Sequence, residues 1–125
     1  TSSLYKTKAW GISNQPDFLN QILKVNSKFS PEEIMRLSLD IEKEMGRTRT
    51  FKNAPRTIDI DILFYDKIII NTHLLTIPHP RITERRFVLT PLNEMSPRFK
   101  HPVLGKEIHE LYRQCKDKLA VEKLK

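Results

Sequence analysis

The sequence predicts a domain of the α+β class, and three stretches carry that prediction. In the stretch 57–64, the first six residues strictly alternate polar and apolar side chains, which is the period of a β-strand with one buried face. The turn-like residues 65–67 and the apolar run 68–70 follow, which indicates a β-hairpin. Residues 31–45 instead carry apolar side chains at helical spacing behind a capping sequence. Strand and helix signals therefore occur within one chain that shows no internal repeat.

The composition indicates one globular domain, 1–125, because 125 residues suffice for one packed core but not for two. The formal net charge of +7 favours an anionic partner, and nucleic acid, a polyphosphate and an acidic membrane surface all qualify. No apolar run approaches membrane-spanning length and no signal-peptide pattern is present, so we expect no membrane role and a cytoplasmic location. The single cysteine, Cys115, agrees with a reducing compartment.

Two extended segments open the chain. Residues 2–8 and 18–25 both favour strands, and Phe18 and Asn20 share one face of the second. The Asn20 amide either pairs with the donor and acceptor edge of a heterocycle or bonds to the local backbone. The loop between the two segments contains Trp10, which is either a satellite core residue or a flap over a ligand.

The helix signals that begin at Ser30 are the clearest in the sequence. Ser30 is a favourable N-cap, and Glu33 completes a capping box with it. Gly46 supplies a stop after four apolar side chains at helical spacing, which are Ile34, Leu37, Ile41 and Met45. Glu42 lies off this apolar stripe and is interpreted as a solvated charge.

A basic segment without periodicity, 46–55, follows the helix. It carries Arg47 and Arg49, and it leads into Arg56 and the alternating strand. We interpret it as a mobile basic loop.

The second half of the chain shows weaker patterns. Two prolines make 76–80 irregular, and His79 between them is either structural or a ligand contact. Residues 85–89 open a short apolar segment that should end at or soon after Pro91. Residues 105–115 predict a last helix, and the charged tail 116–125 is interpreted as helical continuation or fray.

Asp59 and Asp61 are the central feature of the alternating strand. Two residues of strand advance the chain by roughly 6.5–7 Å, so the two carboxylates become neighbours on one face. Like charges so placed repel each other unless a cation neutralises them, and paired hard oxygen ligands suit Mg²⁺. The alternative is a solvated strand face. Basic side chains in the flanking segments favour a metal-polyphosphate site, and they include Arg47, Arg49, Lys52, Arg56, His79, Arg81, Arg85 and Arg86.

Three motifs resemble those of the 6-hydroxymethyl-7,8-dihydropterin pyrophosphokinase family. They are Ala54-Pro55-Arg56-Thr57-Ile58-Asp59-Ile60-Asp61-Ile62-Leu63, Ile77-Pro78-His79-Pro80, and Arg85-x-Phe87-Val88-Leu89-x-Pro91-Leu92. The resemblance extends to about residue 115. This chain has Asn53-Ala54 where the family usually has an aromatic residue and Gly, and the family's opening strand, Gly-Ser-Asn turn and first helix are absent from the sequence.

The resemblance implies a ferredoxin-like α/β/α sandwich with a mainly antiparallel sheet. It also implies transfer of pyrophosphate from ATP to the pterin's hydroxymethyl group with release of AMP. By position, Asp59 and Asp61 resemble the ligands of two Mg²⁺ ions, and Arg47 and Arg49 resemble catalytic loop arginines. The other residues that match the family's ATP side are Glu42, Arg56, Ile62, Thr76, His79 and Arg85.

The same resemblance implies a pterin site between two aromatic rings, Phe18 and Phe87. Asn20 and Thr7 match the polar contacts to the edge of the pterin, and Trp10 falls in a loop near it. Phosphoryl-type transfer depends mainly on positioning and charge stabilisation, which a metal, arginines and stacked rings would provide.

Two other interpretations stay open from the sequence. A basic α+β domain can bind nucleic acid, although two aspartates on the polar strand face would repel a phosphate backbone. A catalytically silent relative of the family is the other alternative. From the resemblance we expect about 30–40 further N-terminal residues in the working protein, the length of one strand and one helix. Without them, we expect poor solubility, loose packing or dimerisation through a vacant sheet edge.

Overall fold

The computed structural model describes residues 1–7, 18–46 and 58–124. Backbone contacts divide the chain into two compact units, Thr1–Asn26 with Pro80–Lys125 and, separately, Ser27–His79. Within the described ranges both helices and antiparallel strand pairs occur, as expected for an α+β protein. None of the helices in this part of the chain combines the length and the apolar character needed to cross a membrane.

The described elements follow one another in the order β1 (Tyr5–Thr7), β2 (Phe18–Asn20), α1 (Pro31–Gly46), β3 (Ile70–Asn71), β4 (Thr76–Ile77), α2 (Arg86–Met95), α3 (Ile108–Gln114) and β5 (Val121–Lys123). A 3-10 turn, Ile82–Glu84, precedes α2.

The first unit contains a three-stranded antiparallel sheet in the order β2-β1-β5. Thr7 lies opposite Phe18 on one side and opposite Val121 on the other. The interpretation of 116–125 as helical continuation is therefore wrong. Leu124 N donates to Leu4 O at 2.8 Å beyond the strand, so backbone pairing with β1 decides the conformation of this tail.

The two opening strands are shorter than predicted, because β1 and β2 comprise three residues each instead of 2–8 and 18–25. Ser2 extends the contact with the second segment through both its backbone and its side chain. Its backbone N donates to Ile22 O at 2.8 Å, and its hydroxyl oxygen accepts from Ile22 N at 2.9 Å. A side chain thus replaces one ladder bond, which ends the regular sheet early.

Helix α2 was not expected, because Pro91 predicted the end of an apolar segment. Pro91 lies inside the helix and cannot donate a backbone hydrogen bond. Val88, Leu89 and Leu92 are all buried at helical spacing, and each fully buried side chain contributes about 1.5–3 kcal/mol. Together they exceed the roughly 3 kcal/mol that an interior proline costs.

Helix α3 confirms the last predicted helix over a narrower range. Gly105 has a φ of 70°, which places a turn before the helix. Glu107 is the N-cap and forms a reciprocal capping box with Glu110. Ile108 and Leu111 are buried on the predicted apolar side.

In the second unit, α1 confirms the helix that the capping signals predicted. Ser30 N donates to Glu33 Oε1 at 3.1 Å, and Glu33 N donates to Ser30 Oγ at 3.2 Å. These hydrogen bonds lower the pKa of Glu33. The apolar stripe is less buried than its spacing suggested, since Leu37, Ile41 and Met45 are all exposed.

The predicted hairpin between 57–64 and 68–70 is wrong, because the second of these segments pairs with a different strand. A turn does form there, with Ile68 N donating to Tyr65 O at 3.0 Å, but β3 pairs with β4. Residues 58–64 carry no regular strand assignment. Alternation reports which side chains are buried and does not identify a hydrogen-bonding partner, so the pattern alone could not establish a strand.

Helix α2 is tied to the sheet by the carboxylate of Glu94. Tyr5 Oη donates to Glu94 Oε1 at 2.7 Å, Ser3 N donates to Oε2 at 2.7 Å, and Lys123 Nζ lies 3.6 Å from Oε1. The bond from Tyr5 is the largest cause that lowers the pKa of Glu94 to about 2. Burial, then the bond to Glu94, raises the pKa of Tyr5 to about 12.

This network predicts a loss of stability in acid. Because the pKa of Glu94 is about 2 in the folded protein and near 4.5 in the unfolded chain, its contribution should be complete above pH 5 and lost from there to pH 2. Urea unfolding of Glu94→Gln should show a smaller decrease in unfolding free energy between pH 6 and pH 3 than the unsubstituted protein. Glu122→Gln, a change to an exposed carboxylate on β5, is the matched control. Equal acid sensitivity in the unsubstituted and Glu94→Gln proteins would contradict the assignment.

Candidate functional site

The aspartate segment lies in the second unit and keeps its alternation. Asp59 and Asp61 are exposed, whereas Ile58, Ile60 and Ile62 are half-buried. The two carboxylates therefore lie on the solvent side of an extended segment, as the sequence predicted. Two exposed hard oxygen ligands that leave room for water and phosphate oxygens fit Mg²⁺.

A helix side chain and a loop backbone hold this segment in place. Ile60 N donates to Glu42 Oε2 on α1 at 2.9 Å, a partly buried bond across 18 positions of sequence. Nearer the other end, His79 N donates to Leu63 O at 2.9 Å. The interpretation of Glu42 as a solvated charge is wrong, because the side chain is half-buried and accepts a backbone hydrogen bond.

The other residues predicted on the ATP side differ in their placement. Ile62 and His79 are half-buried, and Thr76 is exposed on β4 opposite Asn71. All three belong to the second unit, together with Glu42 and both aspartates, whereas Arg85 belongs to the first. Four predicted site residues lie outside the described ranges, namely Trp10, Arg47, Arg49 and Arg56.

The residues predicted to bind the pterin lie in the first unit. Thr7 and Phe18 are opposite each other in the register of β1 and β2, so they share a face with Asn20. Asn20 Nδ2 donates to Thr7 Oγ1 at 3.3 Å, which pairs the amide with a side chain instead of the backbone. Phe18 is 56% exposed, so its ring is available to a planar ligand.

The second predicted ring, Phe87, lies in the first turn of α2. It precedes Glu94 by seven residues, so both lie on nearly the same face of the helix. That face meets β1, because Glu94 accepts the hydrogen bond from Tyr5. The Arg85 guanidinium lies 5.6 Å from the centroid of the Phe87 ring, within cation–π range.

Arg86, which the sequence placed in the basic cluster with Arg85, has a different role. Its Nε donates to Asp117 O at 2.7 Å and its Nη2 to Cys115 O at 3.2 Å. The guanidinium also lies 5.1 Å from the Tyr112 ring centroid. Arg86 therefore anchors the segment after α3, and only the family resemblance had distinguished it from its neighbour.

A second group of possible metal ligands lies at the start of α3. Among the described residues, Glu107, His109 and Glu110 offer ligand atoms within 4.8 Å of one another. Both carboxylates already serve the capping box, and His109 Nε2 lies 3.1 Å from Glu107 Oε1. Helix capping accounts for this cluster without a metal.

Comparison with known proteins identifies the family. Residues 1–97 match the model of 7,8-dihydro-6-hydroxymethylpterin-pyrophosphokinase (HPPK). The chain is 44% identical over 109 residues to 2-amino-4-hydroxy-6-hydroxymethyldihydropteridine pyrophosphokinase of Aquifex aeolicus, covering 87% of this chain and 68% of that protein. It therefore belongs to the HPPK family, as the motifs predicted.

Two further relatives show how much of each protein is shared. The pyrophosphokinase of the same name from Bacillus subtilis is 44% identical over 94 residues, which are 75% of this chain and 56% of that protein. Folic acid synthesis protein fol1 of Pneumocystis carinii is 43% identical over 117 residues, which are 94% of this chain but only 16% of fol1. The chain thus corresponds to little more than half of the first and a small part of the second.

Proposed function

We propose that this protein transfers pyrophosphate from ATP to the hydroxymethyl group of 6-hydroxymethyl-7,8-dihydropterin and releases AMP, as an enzyme of folate biosynthesis. The observation that carries the proposal is the Asp59–Asp61 pair, exposed on one side of a segment that Glu42 anchors. Membership in the HPPK family supports the same reaction and not a nucleic-acid-binding role.

Asp59 and Asp61 would hold Mg²⁺, and the family resemblance suggests two ions. Bound Mg²⁺ supplies charge neutralisation of the triphosphate and polarisation of the bonds around the β-phosphorus. The protein's own task is to present the two carboxylates in a fixed direction, since phosphoryl-type transfer depends mainly on position.

The pterin would bind in the first unit. Phe18 and Phe87 provide the ring faces, and the Thr7–Asn20 pair provides a hydroxyl and an amide for the polar edge of the heterocycle. Arg85 lies beside Phe87 and supplies a positive charge for phosphate close to the ring.

The remaining residues complete the proposal from the sequence. Arg47 and Arg49 act on the transition state from a loop that excludes water, Arg56 and His79 contact phosphate, and Trp10 lies near the pterin. Glu42, Ile62 and Thr76 contribute to the adenosine side. A ferredoxin-like sandwich, a single domain and a cytoplasmic location remain predictions.

The decisive experiment is an assay of the natural full-length protein with ATP, Mg²⁺ and reduced hydroxymethylpterin. We expect AMP and the pyrophosphorylated pterin in equal amounts, and neither product when Mg²⁺ is chelated or the pterin is omitted. A folded protein that binds both substrates but forms no AMP would identify a catalytically silent relative.

Phe87→Ala should weaken pterin binding and leave ATP binding nearly unchanged. A stacked ring contributes on the order of 1–3 kcal/mol, so the dissociation constant for the pterin should rise roughly 5- to 150-fold. Calorimetric titration with each ligand measures both effects. Phe99→Ala, a change to another half-buried ring of the first unit, is the control. Unchanged pterin affinity in Phe87→Ala would show that this ring packs in the protein and does not bind the pterin.

A further inference from the structure

We infer that Glu42 is a positioning residue that fixes the direction of the Asp59 and Asp61 carboxylates through the peptide between them. This inference rests on the proposed function, because it assigns those carboxylates to the divalent cation. It gives Glu42 a task in addition to the adenosine-side contribution that the family resemblance implies.

The geometry places one hydrogen bond at the centre of the pair. Glu42 Oε2 accepts from Ile60 N at 2.9 Å, and Ile60 separates the two aspartates. The peptide that carries this N–H joins Asp59 to Ile60. Holding it restricts ψ of Asp59 directly, and through Ile60 it limits the direction of Asp61.

Such an anchor matters because residues 58–64 do not form a regular strand. Its backbone bonds include Ile60 N, which donates to Glu42, and Leu63 O, which accepts from His79 N. A hydrogen bond to an ionised acceptor is roughly twice as strong as a neutral one, and here it is partly buried. Glu42 lies on α1, a helix of 16 residues with a capping box. The backbone that carries the acceptor carboxylate is therefore held in a regular helix.

Groups that orient metal ligands strongly influence metal affinity. Loss of such an outer partner typically costs 10- to 100-fold in metal affinity or activity. Glu42 would orient Asp59 and Asp61 through the backbone between them, instead of through a hydrogen bond to either carboxylate. This hydrogen bond itself uses no lone pair of the Asp59 or Asp61 carboxylate.

The test compares three substitutions at Glu42 with a control on the same helix. Glu42→Gln keeps an acceptor oxygen at the same reach but loses the charge, whereas Glu42→Asp keeps the charge but shortens the side chain by one methylene. Glu42→Ala removes both. Asp40→Ala removes an exposed carboxylate of α1, unlike the half-buried Glu42, and alters net charge by the same amount as Glu42→Ala.

The measurement is binding of Mn²⁺, which favours the same oxygen ligands as Mg²⁺, followed by electron paramagnetic resonance. The protein is first saturated with a non-hydrolysable ATP analogue. We expect the dissociation constant for Mn²⁺ to rise about 10- to 100-fold in Glu42→Ala and Glu42→Asp. It should change no more than about threefold in Glu42→Gln and Asp40→Ala, a difference below one hydrogen bond.

The opposite ranking would overturn the inference. Wild-type affinity in Glu42→Asp together with weakened binding in Glu42→Gln would mean that Glu42 acts by charge and not by position. Unchanged Mn²⁺ affinity in Glu42→Ala and Glu42→Asp, together with weaker binding of the analogue in the absence of metal, would mean that Glu42 acts only on the nucleotide. If Glu42→Ala does not fold, the Gln and Asp variants still decide between these outcomes. Failure of the proposed function appears separately, as absence of AMP formation in the unsubstituted protein.

Discussion

Replacing either Asp59 or Asp61 by alanine should lower the rate of pyrophosphoryl transfer by at least about 10³-fold. Charge stabilisation by a bound metal contributes several kcal/mol in the transition state, and each 1.36 kcal/mol corresponds to about tenfold in rate. The fold should persist, because both side chains are exposed and the segment is held through Ile60 N and Leu63 O. Removing one of two neighbouring like charges should also relieve repulsion when no metal is bound.

Steady-state kinetics at saturating Mg²⁺, together with thermal unfolding in its absence, measures both expectations. Asp40→Ala removes an exposed carboxylate from α1 and should retain normal turnover. Turnover within tenfold of normal in either aspartate variant would exclude the assignment of these residues to the metal.

Capping residues and apolar spacing correctly predicted the helices that depend on interactions between residues close in sequence. The bounds of α1 follow from the Ser30–Glu33 capping box, and α3 follows from its apolar spacing. The predictions that failed depended on a distant partner or on tertiary burial. Residues 58–64 do not form the predicted regular strand, the tail pairs with β1, and Leu89 is buried in α2 despite Pro91.

The candidate site follows the same division. Exposure of Asp59 and Asp61 on one side was predictable from a period of two. The period of two had placed Phe18 and Asn20 on one face, but the position of Thr7 beside them depends on the register of β1 with β2, and only family resemblance had grouped Thr7 with the other two. The bond from Ile60 to Glu42 joins residues 18 positions apart, and no pattern in the sequence specifies it.

Arg85 and Arg86 are a pair that residue type and local pattern could not distinguish, although the family motif selected Arg85. They are adjacent and chemically identical, yet Arg85 lies over the ring of Phe87 while Arg86 bonds to the carbonyls of Cys115 and Asp117. Arg86 is thereby committed to holding the segment between α3 and β5 against the start of α2. Arg85 is the member of the pair that the proposed function assigns to phosphate.

Replacement of each arginine by alanine should therefore affect a different property, stability for Arg86 and ATP binding for Arg85. Arg86→Ala should lower the unfolding free energy by about 2–4 kcal/mol, because it removes two charge-assisted hydrogen bonds and leaves two partly buried carbonyls without those donors. Its contact with Tyr112 adds to the loss. Arg85→Ala should cost no more than about 1 kcal/mol, the value of a partly exposed cation–π contact, but should weaken ATP binding.

Urea unfolding and calorimetric titration with a non-hydrolysable ATP analogue separate the two effects. Arg86→Lys keeps the charge but cannot donate in the same fork geometry, so it should recover only part of the lost stability. At a temperature where Arg86→Ala remains folded, its affinity for the analogue should equal that of the unsubstituted protein. Equal losses of stability in both alanine variants, or a larger loss of ATP affinity in Arg86→Ala, would show that the roles of the two arginines are not divided in this way.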